Sequence, residues 1–452
     1  MNFLYTRFFS LFDLSQIYVR VFPLNYPSKV TFLNLGKNFL YHFLNTFLSV
    51  YRSDGFLYNI KRTINSLLIL ISFIIINVLK LLYIPLIVIF YFSKYRFIQI
   101  NHYQIGTVCE DLHRQVKNNY NRGYKSIILI PKLSKFSFVK KIFKELIIID
   151  NIFLNIILLP MKHTSLISCK FEETNINFNS KLKQRVPNPW VSTIIRYRKK
   201  YKNKNIHTFN EKFTEEMRLY FKKNHSNLNI SRLIIFHHRE EFYERTGGMR
   251  GSHLATYRPA IKYLLSKNYS IIRLSNSNGK KFSFNSKKYV EINTDLRENQ
   301  LLQFYVLSKC KGFVCSPSGP GSLGPVFDLP CFETNLPLSN VNGLNKKSIY
   351  ILKKVKLKNK IMPYKELFKI DNYFQGVIYS QKWNELGFKL INNTSKEILE
   401  GIKEFIKLIE NSKSPTSKEQ KDFNRLMPNH MDIKWSGSNI SKYFIKKNSK
   451  LF

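Results

Sequence analysis

The sequence RLIIFHHREE, residues 232–241, passes from an apolar run directly into a cluster of charged and imidazole side chains. A short, continuous apolar run is typical of a strand that is buried on both faces of a parallel sheet. Ligands bind such sheets outside the carboxyl ends of the strands. Imidazole, guanidinium and carboxylate groups are costly to bury without partners. We therefore expect His237, Arg239 and Glu240 to be either solvated or functional.

The rest of the chain alternates between strand and helix patterns. Helix patterns cover residues 257–265 and 298–308, and Thr394 with Glu397 forms a capping box at the start of a further helix. This alternation predicts an α/β fold whose parallel sheets are joined by crossover helices. The expected strands are residues 97–105, 126–130, 155–159, 232–237, 270–274, 313–316 and 331–334.

A second polar constellation follows the strand expected at 313–316. Residues 315–324 read CSPSGPGSLG, and small residues of this kind allow a ligand to approach the backbone closely. The segment matches neither the P-loop nor the six-residue dinucleotide fingerprint, and a simple turn is the alternative interpretation. As a cradle for phosphate or ribose, it would use Ser316, Ser318, Gly319, Gly321 and Ser322.

Composition narrows the class of protein. The chain has 452 residues and 44% hydrophobic residues, which excludes a mostly disordered protein. Its 72 basic and 29 acidic residues give a formal net charge of +43, spread along the chain without a nucleic-acid-binding motif. We therefore expect attraction to anionic lipid or phosphate ligands and no nucleic-acid partner. The 5 cysteines contain no C-x-x-C pair, which argues against structural zinc and favours a reducing compartment.

No Asp-x-Asp pair and no metal-ligand spacing occur in the sequence, so we expect no metal and no cofactor. Without a cation, guanidinium groups would have to neutralise the phosphates of a bound diphosphate. The candidate charges are Arg239, Arg250 and Arg273.

The segment 67–92 reads LLILISFIIINVLKLLYIPLIVIFYF and carries one charge, Lys80. About 20 apolar residues suffice to span a bilayer. Lys80 and Pro85 leave three interpretations: a kinked spanning helix, a re-entrant hairpin, or a buried helix of a soluble core. We expect association with an anionic membrane surface, with the catalytic part on the cytoplasmic side.

Several motifs from about Tyr103 to the C-terminus resemble those of a family of bacterial glycosyltransferases. The family pattern is His-x-Arg-Asp at a strand end, a Tyr, Arg-Asn-x-Asp-Ile-x-x-Tyr, a strand ending Ile-Arg-Met-Gly, and later a Ser-Gly loop and Asn-x-Pro. The corresponding residues here are His237–Glu240, Tyr243, Arg250–Tyr257, Ile272–Ser275, Ser318–Gly319 and Asn335–Pro337.

The resemblance implies two Rossmann-like domains that face each other across a cleft, as in GT-B enzymes and more distantly in fucosyltransferases. It implies metal-independent transfer of a hexosyl or deoxyhexosyl group from a nucleotide sugar to a surface-glycan or lipid-linked acceptor, as in polysaccharide biosynthesis. The expected regions are a membrane-associated segment (1–96), an acceptor domain with linker (97–228), a donor domain (229–410) and a C-terminal extension (411–452).

The resemblance also implies residue roles. Tyr243, Arg250, Arg273, Asn335 and the serine–glycine loop would bind the nucleotide sugar. Arg239 would act on the departing diphosphate, and His237, Glu240 or His253 would activate the acceptor. Glu240 replaces the family's first Asp, while Gly251 and His253 replace the Asn and Asp of the second motif. Two alternatives remain: a pyruvyl transferase that acts on polysaccharide, and a non-catalytic, membrane-docked binding protein.

Overall fold

The computed structural model describes residues 82–98, 112, 115–116, 119–120, 122–129, 146–162, 167–169, 210–240, 250–337, 345–369, 387–411, 416–427, 434 and 436–452. The chain divides into two compact units. Of the described residues, those within 82–98, 119–129 and 146–169 belong to the first unit, and those within 112–116 and 210–452 to the second. Residues 67–81 of the apolar segment lie outside the described part.

The first unit contains a four-stranded parallel sheet of order β3-β2-β1-β4. Phe97, Ile127 and Leu129 are buried on one face of the sheet, where they form a core with Met161 and Ile167. The strand predicted at 126–130 is confirmed as β2. The strands are β1 (Tyr95–Ile98), β2 (Lys125–Leu129), β3 (Leu146–Ile149) and β4 (Ser168–Cys169).

The strand expected at 155–159 is wrong, because this segment forms helices α2 (Ile152–Ile157) and α3 (Leu159–Lys162). Asn151 begins α2, and its Oδ1 accepts hydrogen bonds from the N–H groups of Phe153 and Leu154. Pro160 lies in the first turn of α3, where the N–H that proline lacks has no helical partner. Local capping therefore outweighs the strand preference of the isoleucines.

Helix α1 (Ile84–Phe92) is the described part of the apolar segment. Pro85 lies in the first turn of α1, where the N–H that proline lacks would have no helical partner. After α1 the chain turns into β1, and the Phe90 and Phe97 rings stack 5.5 Å apart. No helix among the described residues has the length and hydrophobicity that a bilayer span requires.

The second unit is built on a parallel sheet of order β14-β10-β9-β8-β5-β6-β7. The α/β class and the strands expected from 232 to 334 are confirmed. The strands are β5 (Leu233–His237), β6 (Ser270–Ser275), β7 (Tyr289–Asn293), β8 (Gly312–Cys315), β9 (Cys331–Leu336), β10 (Ile349–Leu352) and β14 (Asn439–Ile440).

Helices cover both faces of this sheet. On one face, α4 and α6 contact each other, and the Phe221 and Tyr305 rings lie 6.2 Å apart. On the other face, α5 and α9 share the main core with residues of α10 and α11. These helices are α4 (Glu211–Asn224), α5 (Arg258–Ser266), α6 (Arg297–Lys309), α9 (Ser395–Glu410), α10 (Lys418–Leu426) and α11 (Lys442–Lys447).

Helix α9 lies close to the sheet. A Cβ added at Gly401 would come within 2.3 Å of the Phe332 ring, so only glycine fits there. The predicted capping box is confirmed, since Thr394 Oγ1 accepts from Glu397 N–H and the Glu397 carboxylate accepts from Thr394 N–H. The described part of the unit also contains two short helices and an antiparallel sheet: α7 (Leu323–Val326), α8 (Tyr364–Leu367), β11 (Lys354–Leu357), β12 (Lys360–Ile361) and β13 (Phe388–Ile391).

Candidate functional site

The order of the strands places a topological switch point between β5 and β8. From β5 the chain adds β6 and β7 on one side and then crosses to β8 on the other side. Crossover connections leave the sheet in opposite directions there, which opens a crevice at the carboxyl ends. The His237 cluster follows β5 and the serine–glycine loop follows β8, so both predicted constellations flank this crevice.

The segment after β5 and the serine–glycine loop after β8 are joined by direct hydrogen bonds. The N–H of Arg239 donates to Ser316 Oγ at 2.7 Å, and the N–H of Ser316 donates to the His237 carbonyl at 3.2 Å. Ser316 is fully buried, so its hydroxyl fixes the main chain at Arg239 rather than facing solvent. This contact holds the strand tip that carries Arg239 in place.

A returning segment brings a second guanidinium to the same place. Ser252 N–H donates to the Arg239 carbonyl at 2.9 Å, and Glu240 pairs with Ser252 as an isolated bridge. Lys353, buried at the end of β10, donates from Nζ to the Gly251 carbonyl at 2.6 Å. These bonds hold Arg250 beside Arg239.

The electrostatics of Arg250 reflect this arrangement. Burial and then the neighbouring charge of Arg239 lower the pKa of Arg250 to about 10. Arg250 makes no ion pair or hydrogen bond with any described residue. A cation in this setting gains most from a bound anion, and guanidinium groups bind phosphate with two parallel hydrogen bonds.

His237 is held as a neutral imidazole. Its Nδ1 lies 3.0 Å from the Leu274 carbonyl, which can only accept, so Nδ1 carries the proton. Burial lowers the pKa of His237 to about 4 against the effect of that hydrogen bond, and the charges of Arg273 and Arg239 lower it further. The Nε2 lone pair therefore remains available to accept a hydrogen bond or a proton at neutral pH.

Arg273 lies in a different environment. Its side chain is only 2% exposed, and it contacts Glu291 at 2.6 Å and Glu240 at 3.4 Å. Nη1 also donates to the Lys280 carbonyl. The two carboxylates neutralise this guanidinium inside the protein, so Arg273 supports the sheet edge and is not presented to solvent.

Four polar atoms beside this ion pair are buried without a hydrogen bond. They belong to His238 (both ring nitrogens), Glu240 (Oε2) and Arg273 (Nε). The His238 ring is parallel to Phe236 and edge-on to Tyr257, and burial, then Arg273 and His237, lower the pKa of His238 to about 2. His238 is therefore a neutral ring in an aromatic stack.

The serine–glycine loop turns sharply after β8. Ser318 Oγ accepts from the Gly321 N–H at 3.1 Å, and Gly319 precedes the 3-10 helix Pro320–Ser322. Gly324 is required for close packing, because an added Cβ would lie 2.6 Å from Cys331 Sγ. Ser318 is 8% exposed, so its hydroxyl mainly stabilises the turn by this hydrogen bond.

Asn335 belongs to a buried polar network. Its φ is 52°. The Asn335 N–H donates to Asn393 Oδ1 at 2.6 Å, and the Asn393 N–H donates to Asn335 Oδ1 at 2.7 Å. Its Nδ2 donates to the Tyr257 hydroxyl at 3.0 Å, and Tyr257 lies 2.6 Å from Thr334 Oγ1. Its side-chain amide is therefore occupied in joining the end of β9 to Asn393, just before α9, and to Tyr257.

The remaining predicted residues lie near the crevice or outside the described part. His253 is exposed and directly follows the segment that pairs with Arg239. Tyr243 lies outside the described residues, and for Ser322 only the backbone is described.

Sequence reasoning missed three residues that organise the site. Lys353 follows an apolar strand, as Arg239 does, and would have been found had β10 been predicted. Glu291 lies inside β7, and Asn393 precedes the predicted capping box. No local pattern pointed to these two. Among the described residues, no group of three or more His, Cys, Asp or Glu side chains could hold a metal ion.

No family model matches the chain, and no curated protein matches it. One solved structure that matches is the glycosyl transferase family 9 protein from Veillonella parvula DSM 2008, with 8% identity and a TM-score of 0.40, covering 70% of this chain and 98% of that one. Another is E. coli ADP-heptose LPS heptosyltransferase II, with 11% identity and a TM-score of 0.35, covering 64% of this chain and 100% of that one. At such scores these likenesses carry no argument about the site.

Proposed function

We propose that the chain is a glycosyltransferase that binds the diphosphate of a nucleotide sugar at the crevice between β5 and β8 without a metal ion. The observation that carries this proposal is Arg250, a guanidinium held beside Arg239 with no carboxylate partner among the described residues. A diphosphate would supply the negative charge that the described residues do not place beside Arg250. The motif resemblance to bacterial glycosyltransferases supports the same function.

The chemistry follows from these charges. In the transfer step the bond from the sugar's anomeric carbon to the diphosphate oxygen breaks, and a bond to the acceptor oxygen forms. Negative charge develops on the departing diphosphate, and fixed guanidinium groups stabilise it most in the transition state. Arg239 and Arg250 take this role, while Arg273 and Glu240 hold the strand tips in position.

The proton of the acceptor hydroxyl needs a base. His237 offers a neutral Nε2, although a pKa of about 4 makes this ring a weak base, and His253 is exposed beside the same segment. Comparing His237→Asn with His253→Asn assigns the role, because only loss of the base removes the rise of kcat on the acidic side of the pH profile, where the base gives up its proton. The acceptor we propose is a surface glycan or a lipid-linked sugar.

The test is release of free nucleoside diphosphate from a panel of nucleotide sugars. We expect Arg239→Ala to lower kcat/KM by about 100-fold or more, since one lost charge stabiliser costs this much in other enzymes. Arg239→Lys keeps the charge but not the planar fork of donors, so its activity should lie between those of the wild type and Arg239→Ala.

Arg425→Ala is the matched control, because Arg425 is 79% exposed and pairs only with Asp422 among the described residues. Unchanged activity of Arg239→Ala would remove the proposed role of Arg239. Thermal stabilisation by phosphoenolpyruvate, and by no nucleotide sugar, would favour a pyruvyl transferase. Nucleotide-sugar binding without turnover would favour a non-catalytic binding protein.

A further inference from the structure

Helix α1 of the first unit is apolar around most of its circumference. Ile87 is its one buried residue, at 6% exposure. Its most exposed side chains are Ile84 (51%), Ile89 (59%) and Phe92 (75%). At 100° per residue these positions spread over more than a third of the helix surface. A helix that is hydrophobic all round requires an apolar environment beyond the sheet it packs on.

Helix α2 adds a second exposed apolar surface in the same unit. Phe153 is 72% exposed, and Ile156 and Ile157 are 47% and 50% exposed. Leu158, directly after α2, packs on the same core as the inner face of α1. The apolar surfaces of α1 and α2 therefore belong to one compact body.

This exposure is specific to the first unit. Among the described residues, Leu219, Leu296 and Ile361 are the large exposed hydrophobic side chains of the second unit, and they are isolated from one another in the sequence. Single exposed apolar residues are ordinary, whereas contiguous ones mark an interaction surface.

Basic side chains lie beside the end of α1. Arg96 stacks on the rings of Tyr91 and Tyr124 at 5.1 and 4.1 Å, which joins α1 to the turn before β2. Exposed Lys94 and Lys125 are adjacent, since the Lys125 N–H donates to the Lys94 carbonyl. Asp150 is the only acidic residue among those described in this unit.

We propose that the first unit docks on an anionic lipid bilayer through α1 and α2. The apolar side chains enter the interfacial region, and Lys94 and Lys125 contact anionic head groups. Tyr91 and Tyr120, which are 44% and 52% exposed, suit the head-group level that aromatic residues with a polar end occupy. This geometry requires no spanning helix.

The test is sedimentation of the full chain with vesicles of phosphatidylcholine alone or of equal parts phosphatidylcholine and phosphatidylglycerol. Binding should require phosphatidylglycerol and weaken as salt is added. Ile89→Ser/Phe92→Ser and Phe153→Ser/Ile157→Ser should each lower the partition coefficient by about tenfold or more, because each double variant removes two insertable side chains. Lys94→Glu/Lys125→Glu should lower it by a similar factor.

The second unit offers matched controls. Leu219→Ser/Leu296→Ser removes two apolar side chains of comparable exposure (53% and 54%), and Lys222→Glu/Lys223→Glu reverses two exposed charges on α4. Both controls should bind vesicles like the wild type. Unchanged vesicle binding in the two serine variants of the first unit would overturn the proposal. It would also be overturned if light scattering showed that these variants change from dimer to monomer while their vesicle binding stays the same, because the apolar surface would then bind a second copy of the chain. The measurement requires no turnover, so it is independent of the transfer activity.

Discussion

Two neighbouring parts of one sheet edge surround their guanidinium groups in opposite ways. Across β6 and β7, Arg273 is buried between Glu291 and Glu240, at 2.6 and 3.4 Å. At the switch point between β5 and β8, Arg250 is half-buried beside another cation, Arg239, and has no carboxylate partner among the described residues.

This difference distinguishes an arginine that stabilises the fold, Arg273, from one that we propose binds a ligand, Arg250. A buried charge and its partners depend on one another, because removing one of them leaves the others uncompensated. A cation held beside a like charge gains no electrostatic stabilisation from that neighbour, so in a crevice it is a candidate for binding an anion. Three predictions test this distinction, from the largest expected effect on stability to the smallest.

The largest effect should come from Arg273→Met. We expect the free energy of unfolding of the second unit to fall by about 3–5 kcal/mol, because Glu291 and Glu240 would stay in place without a cation. Urea titration followed by circular dichroism measures this change.

Two variants complete that experiment. Adding Glu240→Gln and Glu291→Gln to Arg273→Met should recover most of the loss, since no buried charge then remains unpaired. Arg425→Met, at a side chain 79% exposed, should change stability by less than about 0.5 kcal/mol. A loss for Arg273→Met as small as that of the control would show that Arg273 does not support the edge.

The second effect concerns acid stability. The folded chain keeps His238 and His237 neutral, with pKa values of about 2 and about 4, whereas the unfolded chain protonates both near pH 6.5. Stability is therefore full above pH 6.5 and falls as the pH decreases, by about 1.4 kcal/mol per pH unit for each histidine. His238→Phe should halve this slope between pH 6 and about 4.5 while preserving the stack on Phe236.

Urea titrations at several pH values measure the slope. At pH 8 the His238→Phe variant should be at least as stable as the wild type, because it removes two buried nitrogens that lack partners. An unchanged slope would mean that His238 gains a proton on a solvated ring, contrary to its burial.

The smallest effect on stability is expected from Arg250→Met. Without ligand, the free energy of unfolding should rise by about 0.5 kcal/mol or stay level, because the substitution relieves a like-charge contact. Affinity for inorganic pyrophosphate should fall by about tenfold or more, since a hydrogen bond to a charged group is lost. Isothermal titration calorimetry measures the affinity, and urea titration measures the free energy of unfolding. If Arg250→Met were as destabilising as Arg273→Met, the distinction between the two arginines would be wrong.

Much of the second unit could be predicted from sequence because its central strands are buried on both faces. Such strands are continuous apolar runs that end in polar residues, as at Leu233–His237 and Gly312–Cys315. β7 was missed because its YVEIN sequence is only partly apolar. The strand expected at 155–159 is wrong because an apolar run alone does not distinguish a strand from a helix that is capped by the residue before it.

The sequence by itself determined the α/β class, the two polar strand ends and the presence of several arginines near them. Only the tertiary structure decided which arginine is neutralised. Arg273 and Arg250 are equally charged in the sequence, and Glu240 lies nearer to Arg250 than to Arg273 along the chain, yet strand pairing brings Glu240 and Glu291 to Arg273. Electrostatic energy depends on separation in space, which the spacing of residues along a chain does not specify.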